Sequence, residues 1–228
     1  MPPDKIPLIL FSGLAADASV FAPQKLAFPQ LVVPEWIKPT GNETLAEYCE
    51  RFAEVIRPVE PCIIGGASFG GLVALEMARF LNPLCVMLIG SVKGPTELPL
   101  RVRMFRSMRN AVSIIPLVPL QWSAGSLVAA RRWMPHVADI ARQFHDSDPV
   151  VFRWSVRQLL SWQAQAVTTC PVYQIHGDRD FVLPISRTNP DTIVRGGGHV
   201  ISLTHPKEVN TFISHCVQRT LTRIIHGL

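Results

Sequence analysis

The chain has 228 residues, of which 48% are hydrophobic and 17% charged, a composition typical of a globular protein with one substantial core. No run approaches the roughly 20 uninterrupted apolar residues that a membrane helix needs, and residues 1–4 lack the basic and apolar regions of a signal peptide, so we expect a cytoplasmic protein without a membrane span. The net charge of +5 comes from residues 96–165, which hold nine Arg and four acids, while the remainder holds 13 basic and 13 acidic residues.

Six short apolar runs, each followed by glycine or proline, predict six β-strands. They are Ile6–Phe11, Leu31–Val33, Cys62–Ile64, Leu84–Ile89, Val172–Ile175 and Thr192–Val194. The stretches between them carry the apolar periodicity of amphipathic helices, for example over residues 45–55 and 209–221. This alternation predicts an α/β fold with a parallel sheet that is buried on both faces.

Residues 96–165 interrupt the alternation. The segment is rich in Arg and Trp, shows helical patterns and contains a proline-punctuated apolar run near Ile114. We therefore predict a helical lid over 96–165, inserted into a core formed by residues 1–95 and 166–228.

The turn after the third predicted strand reads Gly66-Ala67-Ser68-Phe69-Gly70, which matches the G-x-S-x-G pattern of a nucleophilic serine between a strand and a helix. Small residues on either side of Ser68 allow the strand and the helix to pass closely. A glycine-rich turn without chemistry and a phosphate-binding loop are the alternatives. The turn has no lysine, as a P-loop would need, and the glycines do not follow the dinucleotide-binding pattern.

A serine hydroxyl needs a base, and the base needs a group that fixes its tautomer. The fifth predicted strand is followed by His176-Gly177-Asp178-Arg179-Asp180, and the sixth by Gly196-Gly197-Gly198-His199. An acid and a histidine thus each follow a strand end. Asp178 and Asp180 are both candidates for the acid; His205 is the closest rival of His199, and His176 fits a structural role.

These motifs together resemble those of the α/β-hydrolase superfamily, and more narrowly small bacterial hydrolases with a helical cap, over essentially the whole chain. The family's H-G-x-x-D-x-x-x-P signature is matched by His176, Gly177, Asp180 and Pro184. The resemblance therefore implies Asp180 as the acid and His199, in the family's G-G-H, as the base, with Asp178 as a turn-capping residue. It also implies a six-stranded, all-parallel sheet in the order 2-1-3-4-5-6.

The resemblance further implies an oxyanion hole made by two backbone N–H groups, those of Phe69 and Leu14. Relatives carry His-Gly-x in the loop after the first strand, whereas this chain has Ser12-Gly13-Leu14. Serine at position 12 puts the side-chain support of that loop in question more than the N–H donor itself.

Four of the five tryptophans fall in the predicted lid. Trp122, Trp154 and Trp162 are candidates for lining a substrate pocket, although aromatic residues could equally fill the lid's own core.

Arginines crowd residues 101–109 and recur at Arg131 and Arg132. A solvated basic helix face explains them, and docking of an anionic acyl carrier is the sharper hypothesis. Nucleic acid is not an expected partner, because no recognition module is present.

We therefore predict a serine hydrolase that cleaves a carboxylic ester or thioester through an acyl-enzyme, without a metal or organic cofactor. The five widely spaced cysteines are expected to be free, and no histidine and cysteine cluster has metal-ligand spacing. Acyl transfer, C–C cleavage or perhydrolysis on the same residues is one alternative, and a catalytically silent binding protein of the same fold is another.

Overall fold

The computed structural model describes residues 6–58, 61–114, 119, 121, 135–163 and 169–226. Within this part of the chain, six parallel strands form one sheet in the order β2-β1-β3-β4-β5-β6. The strands are β1 (Leu8–Phe11), β2 (Leu31–Val32), β3 (Ile63–Ala67), β4 (Val86–Ile89), β5 (Val172–Gly177) and β6 (Thr192–Val194). The predicted strand number, direction and order are confirmed.

The α-helices of the described residues are α1 (Ala22–Ala27), α2 (Leu45–Ile56), α3 (Phe69–Leu81), α4 (Leu100–Met104), α5 (Pro135–Asp146), α6 (Pro149–Ser161), α7 (Ile201–Thr204) and α8 (Pro206–His226). Short 3₁₀ helices lie at Ala18–Phe21, Pro95–Glu97 and Ile185–Arg187, and a longer one at Phe105–Ile114. No described helix has the length and apolar character that a bilayer crossing requires.

Helices cover both faces of the sheet. Side chains of α2, α3 and α6 form a core on one face with Ile9 and Phe11 of β1. Side chains of α8 and the 3₁₀ helix Ala18–Phe21 form a second core on the other face with Leu8 and Leu10. Because successive side chains of a strand point to opposite faces, one apolar strand contributes to both cores. This arrangement explains the nearly continuous apolar runs of the strands.

Two glycines that follow the third predicted strand do not end it. β3 continues through Gly65 and Gly66 to Ala67. A Cβ atom at Gly65 would lie 2.5 Å from the carbonyl oxygen of Met87 on β4, and one at Gly66 would lie 2.2 Å from the backbone of Gly70. These glycines therefore permit close approach of β4 and of the first turn of α3, and β3 is longer than predicted for this reason.

Local capping explains where the main helices begin. Thr44 and Glu47 form a reciprocal capping box at the start of α2. Asp148 accepts hydrogen bonds from the N–H groups of Val150 and Val151 at the start of α6, and Pro149 occupies its first position. The thiols of Cys49, Cys85, Cys170 and Cys216 are free, and those of Cys49, Cys85 and Cys216 are buried.

The segment 96–165 is joined to the rest of the chain by polar contacts as well as by packing. The Nε1 of Trp154 and the Nε2 of Gln158 both donate to the carbonyl oxygen of Glu43, each at 3.1 Å. The Nε1 of Trp162 donates to the buried carboxylate of Glu76 at 3.1 Å. These contacts fix α6 against α2 and α3.

Candidate active site

Ser68 lies at the sharp turn between β3 and α3. Its backbone has φ 51° and ψ −119°, a conformation that side-chain-bearing residues rarely adopt. A Cβ atom at Gly70 would lie 2.2 Å from the carbonyl oxygens of Phe11 and Ser12, so only glycine allows the turn to approach β1 this closely. The hydroxyl of Ser91 donates to the carbonyl oxygen of Ser68 at 2.7 Å and holds the turn from the β4 side.

Two hydrogen bonds connect Ser68, His199 and Asp180. The Oγ of Ser68 lies 2.9 Å from the Nε2 of His199, and the Nδ1 of His199 lies 2.8 Å from the Oδ2 of Asp180. The carboxylate can only accept, so Nδ1 carries the proton and Nε2 is free to accept the serine proton. The three side chains come from turns after β3, β5 and β6, at the carboxyl edge of the sheet.

The environment of Asp180 keeps its carboxylate ionised. Its side chain is fully buried, and its Oδ1 accepts hydrogen bonds from the backbone N–H groups of Val182 and Leu183, both at 2.8 Å. Burial raises the pKa of this carboxyl, but the nearby imidazoles of His176 and His199 outweigh burial and hold the pKa well below its ordinary value of 3.8. Asp180 is therefore a charged acceptor for the imidazole of His199.

Asp178 and His205, the alternative candidates for the acid and the base, lie outside this hydrogen-bonded series. Asp178 is exposed, and its Oδ1 accepts a hydrogen bond from the backbone N–H of Gly196 at 2.7 Å. His205 contacts the hydroxyl of Thr204 at 2.9 Å through its Nδ1. Neither residue takes part in the Ser68, His199 and Asp180 hydrogen bonds.

His176 is a second imidazole beside Asp180. It is fully buried, and its Nε2 lies 2.7 Å from the carbonyl oxygen of Leu183 and 3.3 Å from the Oδ2 of Asp180. Because both neighbours accept, Nε2 carries a proton. Burial lowers the pKa of His176, but the contacts with Asp180 and the Leu183 carbonyl outweigh it, so the pKa is raised above its ordinary value.

The two predicted oxyanion donors belong to backbone that flanks Ser68. Phe69 is the first residue of α3, where N–H groups have no intrahelical acceptor and the helix end favours negative charge. On the other side, a Cβ atom at Gly13 would lie 3.6 Å from the Cβ of Ser68, which places the Gly13-Leu14 backbone beside the nucleophile.

Serine at position 12 supports this loop. The hydroxyl of Ser12 donates to the carbonyl oxygen of Ala16 at 2.8 Å, and the N–H of Ala16 donates to the carbonyl oxygen of Gly13 at 3.1 Å. The loop is thus closed by its own hydrogen bonds, and Ala15 within it lies in the left-handed region at φ 57°.

A cavity of about 310 Å³ opens directly onto Ser68 and His199. Its walls are mostly apolar and include Leu14, Val20, Ile89, Phe144, Phe152 and Val200. A second cavity of about 570 Å³ shares Ala15, Ala16, Gln143 and Phe152 with the first and extends outward past Trp36. Helices α5 and α6 of the segment 96–165 therefore supply part of both cavity walls.

Two of the three tryptophans predicted to line a substrate pocket, Trp154 and Trp162, lie away from this cavity. Trp154 is buried on Tyr48, with ring centroids 4.2 Å apart, and packs edge-on to Phe69. Trp162 is buried beside Glu76 and borders a different surface cavity together with Arg103 and Arg106. Trp122 lies outside the described residues. Of the described aromatic residues in the segment 96–165, Phe144 and Phe152 border the Ser68 cavity, and Gln143 is a wall residue that no sequence pattern indicated.

The arginines of residues 101–109 have different environments. Arg101 donates from one terminal nitrogen to the carbonyl oxygens of Phe181 and Val182, at 2.5 and 2.7 Å. Arg103 and Arg109 are exposed, whereas Arg131 and Arg132 lie outside the described residues. Docking of an anionic acyl carrier stays a prediction, which charge reversal at Arg103 and Arg106 would test. Among the described residues, no group of His, Cys, Asp and Glu side chains is arranged to hold a metal ion.

Comparisons with known proteins agree with this architecture. The family model described as "Alpha/beta hydrolase family" matches residues 8–212. No curated protein sequence matches the chain significantly.

Solved structures with the same fold include three that cover nearly the whole chain. A carboxylesterase of the ammonia-oxidizing Thaumarchaeon Nitrososphaera gargenis has 15% identity and a TM-score of 0.74, and the match covers 97% of this chain and 93% of that one. MenH from S. aureus has 14% identity and a TM-score of 0.74, with 97% and 96% covered. An enol-lactonase from Burkholderia xenovorans LB400 has 15% identity and a TM-score of 0.70, with 96% and 92% covered. At these identities the likeness shows the fold alone.

Proposed function

The chain belongs to the alpha/beta hydrolase family, and we propose that it hydrolyses a carboxylic ester or thioester through an acyl-enzyme formed on Ser68. The observation that carries this proposal is the unbroken hydrogen-bonded series from the Oγ of Ser68 through His199 to the buried carboxylate of Asp180. Such a series is what a weakly nucleophilic hydroxyl needs in order to attack a carbonyl carbon at neutral pH.

In the proposed reaction the Oγ of Ser68 attacks the carbonyl carbon while the Nε2 of His199 takes the hydroxyl proton. The N–H groups of Phe69 and Leu14 stabilise the negative charge on the carbonyl oxygen. His199 then returns the proton to the leaving alcohol or thiol. A water molecule, deprotonated by His199, attacks the acyl-enzyme and releases the acid and Ser68. Asp180 keeps the proton of His199 on Nδ1 throughout and stabilises the imidazolium.

The cavity beside Ser68 supports a small substrate. Its volume of about 310 Å³ is at the lower end of the range of about 300–1,000 Å³ for ligand pockets. We propose that the segment 96–165 acts as a lid, because Phe144 and Phe152 contribute apolar walls to this cavity. A lactone is a cyclic ester and can react by the same steps, so the enol-lactonase among the similar structures makes lactones suitable test substrates.

The proposal is tested by covalent labelling. A fluorophosphonate probe should label the wild-type protein on Ser68, and the label should be absent in Ser68→Ala. Ser202→Ala is the matched control, since Ser202 borders the same cavity but has no hydrogen bond to His199 among those of the described residues; its labelling should match wild type. Turnover of esters, thioesters and lactones of graded length then identifies the bond that is cleaved. Absence of labelling and of turnover would contradict the proposal.

A further inference from the structure

Five glutamines are buried in the described part of the chain: Gln24, Gln121, Gln143, Gln158 and Gln174. Four of them have hydrogen-bond partners for their side-chain amides. Gln24 donates to the carbonyl oxygen of Ser202, Gln121 to those of Phe144 and Ser147, Gln158 to that of Glu43 and Gln174 to that of Ser91. Gln143 is the exception, because none of the hydrogen bonds of the described residues involves its carboxamide.

Gln143 is buried to the same degree as its partnered counterparts, with only 6% of its surface exposed. Its amide atoms are not among the fully enclosed polar atoms that lack a partner, so the carboxamide is open to cavity space.

The position of Gln143 gives this amide a chemical context. Gln143 borders both the 310 Å³ cavity at Ser68 and the outer 570 Å³ cavity. A substrate whose reacting carbonyl lies at Ser68 and whose far end lies in the outer cavity passes this side chain. The walls of the inner cavity are mostly apolar. Of the described residues that border both cavities, which are Ala15, Ala16, Gln143 and Phe152, Gln143 has the side chain that can both donate and accept a hydrogen bond.

The outer cavity disfavours a negatively charged far end. Its described walls carry the carboxylates of Asp17, Glu35, Asp146 and Asp148 and the ammonium of Lys38. Arg142 neutralises part of this charge by pairing with Asp17 and Asp146, each at 3.4 Å, and Lys38 pairs with Asp148 at 3.4 Å. The described charges still sum to a negative value, which repels carboxylate and phosphate groups.

We propose that Gln143 is a substrate-binding residue that recognises an uncharged hydrogen-bonding group, such as an amide or a hydroxyl, several atoms from the ester bond. The proposal rests on the proposed hydrolysis at Ser68 and adds the class of substrate. The substrate has a short apolar portion beside the reacting carbonyl, followed by this polar group at the boundary between the two cavities. A site that satisfies a buried amide in this way discriminates against substrates that lack the polar group.

Two series of esters test the proposal. In the first, the acyl portion carries a terminal acetamido group after two to five methylenes, and each ester is paired with the unbranched alkanoate of equal length. In the second, the alcohol portion carries the same groups. In at least one series, wild type should have a higher kcat/KM for the acetamido ester than for its alkyl partner at one spacing. An analogue ending in a carboxylate at that spacing should react more slowly than the acetamido ester.

Substitutions then assign the preference to Gln143. Gln143→Met keeps the side-chain length and removes the amide; it should lower the ratio of kcat/KM for the acetamido ester to kcat/KM for the alkyl ester of equal length by about tenfold, the size expected for one neutral hydrogen bond. Gln143→Asn moves the amide back by one carbon and should shift the preferred spacing to a longer substrate. Gln158→Met is the matched control, because Gln158 donates to Glu43 and does not border either cavity.

The outcomes separate this inference from the proposed function. Labelling of Ser68 together with an unchanged preference in Gln143→Met, or with no preference in wild type, would overturn the inference alone. Absence of both labelling and ester turnover would overturn the proposed function and the inference with it. If Gln143→Met does not fold, an unshifted preference in Gln143→Asn overturns the inference.

Discussion

Both carboxylate oxygens of Asp180 have partners: one accepts hydrogen bonds from two backbone N–H groups, and the other accepts from the imidazole of His199 and lies 3.3 Å from the imidazole of His176. The backbone donors, from Val182 and Leu183, fix the orientation of the carboxylate. One imidazole, that of His199, is therefore presented to Ser68 in a single tautomer. The other, that of His176, contacts the carboxylate and the carbonyl oxygen of Leu183 and has no hydrogen bond to Ser68 among those of the described residues.

Replacement of Asp180 by Asn tests whether this carboxylate orients His199. An amide can donate where the carboxylate only accepts, which favours the wrong tautomer of His199, so kcat should fall by roughly ten-thousandfold. Steady-state kinetics on the best ester of the panel measures the change. Asp178→Asn is the control, since Asp178 is exposed and contacts Gly196 instead; its kcat should stay within a few fold of wild type. A large loss in Asp178→Asn with a small one in Asp180→Asn would reverse the two roles.

His176 gives the stability of the protein a pH dependence of defined sign. Its pKa is raised in the folded state above the ordinary value of 6.5, so its contribution to stability is fully present below about pH 6.5 and is lost as the pH rises through the folded-state pKa. Asp180 contributes to stability in the opposite direction, because its pKa is lowered in the folded state and its contribution is lost as the pH falls. Above about pH 5 that contribution is constant, so it does not affect a comparison between pH 5 and pH 9.

The prediction is a difference in the free energy of unfolding between wild type and His176→Gln that is larger at pH 5 than at pH 9. Urea denaturation at several pH values measures it. His215→Gln provides a reference for the loss of an exposed imidazole on α8. A difference that grows toward high pH would show that the charged form of His176 is not the stabilised one.

At the scale of elements, the turn from β3 to α3 combines close packing with an unusual backbone conformation. Ser68 has a positive φ in a region that glycine adopts at much lower cost. The strain is maintained by contacts on both sides, including the hydrogen bond from Ser91 to the carbonyl oxygen of Ser68. Function, rather than stability, therefore explains a serine at this position.

Substitution by two small residues should reveal this strain. Ser68→Gly should be more stable than Ser68→Ala by about 1–3 kcal/mol, the cost of such a backbone conformation, as measured by urea denaturation. Ser155, a buried residue inside α6, is the control because its backbone is helical. There the order should reverse, with Gly less stable than Ala by about 1 kcal/mol. Equal stability of the two Ser68 variants would mean that the turn stores no strain.

The sequence predicts the elements well where one pattern determines the structure. Apolar runs alternating with helical periodicity predict six parallel strands, and parallel strands bring the turns that follow them to one edge, which is where Ser68, Asp180 and His199 meet. Strand ends are predicted less well. Gly65 and Gly66 favour a turn when read alone, but they lie within β3 because Met87 and Gly70 leave no space for a side chain. That constraint depends on neighbours that are distant in sequence.

At the scale of the whole molecule, the side chains of the segment 96–165 could not be assigned from sequence. Aromatic residues on an amphipathic helix can face a substrate or a core, and the pattern is the same in both cases. Trp154 packs on Tyr48 and donates to the carbonyl oxygen of Glu43, a residue more than 100 positions earlier. Gln143 shows the converse problem, because a glutamine on a helix is normally predicted to be solvated.

A pair of truncations separates these two roles of aromatic residues across the molecule. Trp154→Ala removes a buried ring that joins α6 to α2 and α3, so it should lower the free energy of unfolding by about 3–5 kcal/mol. Phe152→Ala removes a half-buried ring from the cavity wall, so it should cost less stability and raise KM for apolar esters. Urea denaturation and ester kinetics on both variants measure the contrast. Trp154→Ala could instead keep the free energy of unfolding of wild type and lose affinity for the substrate. Trp154 would then contact the substrate, as one interpretation of the sequence expects, and α6 would not pack on α2 in solution.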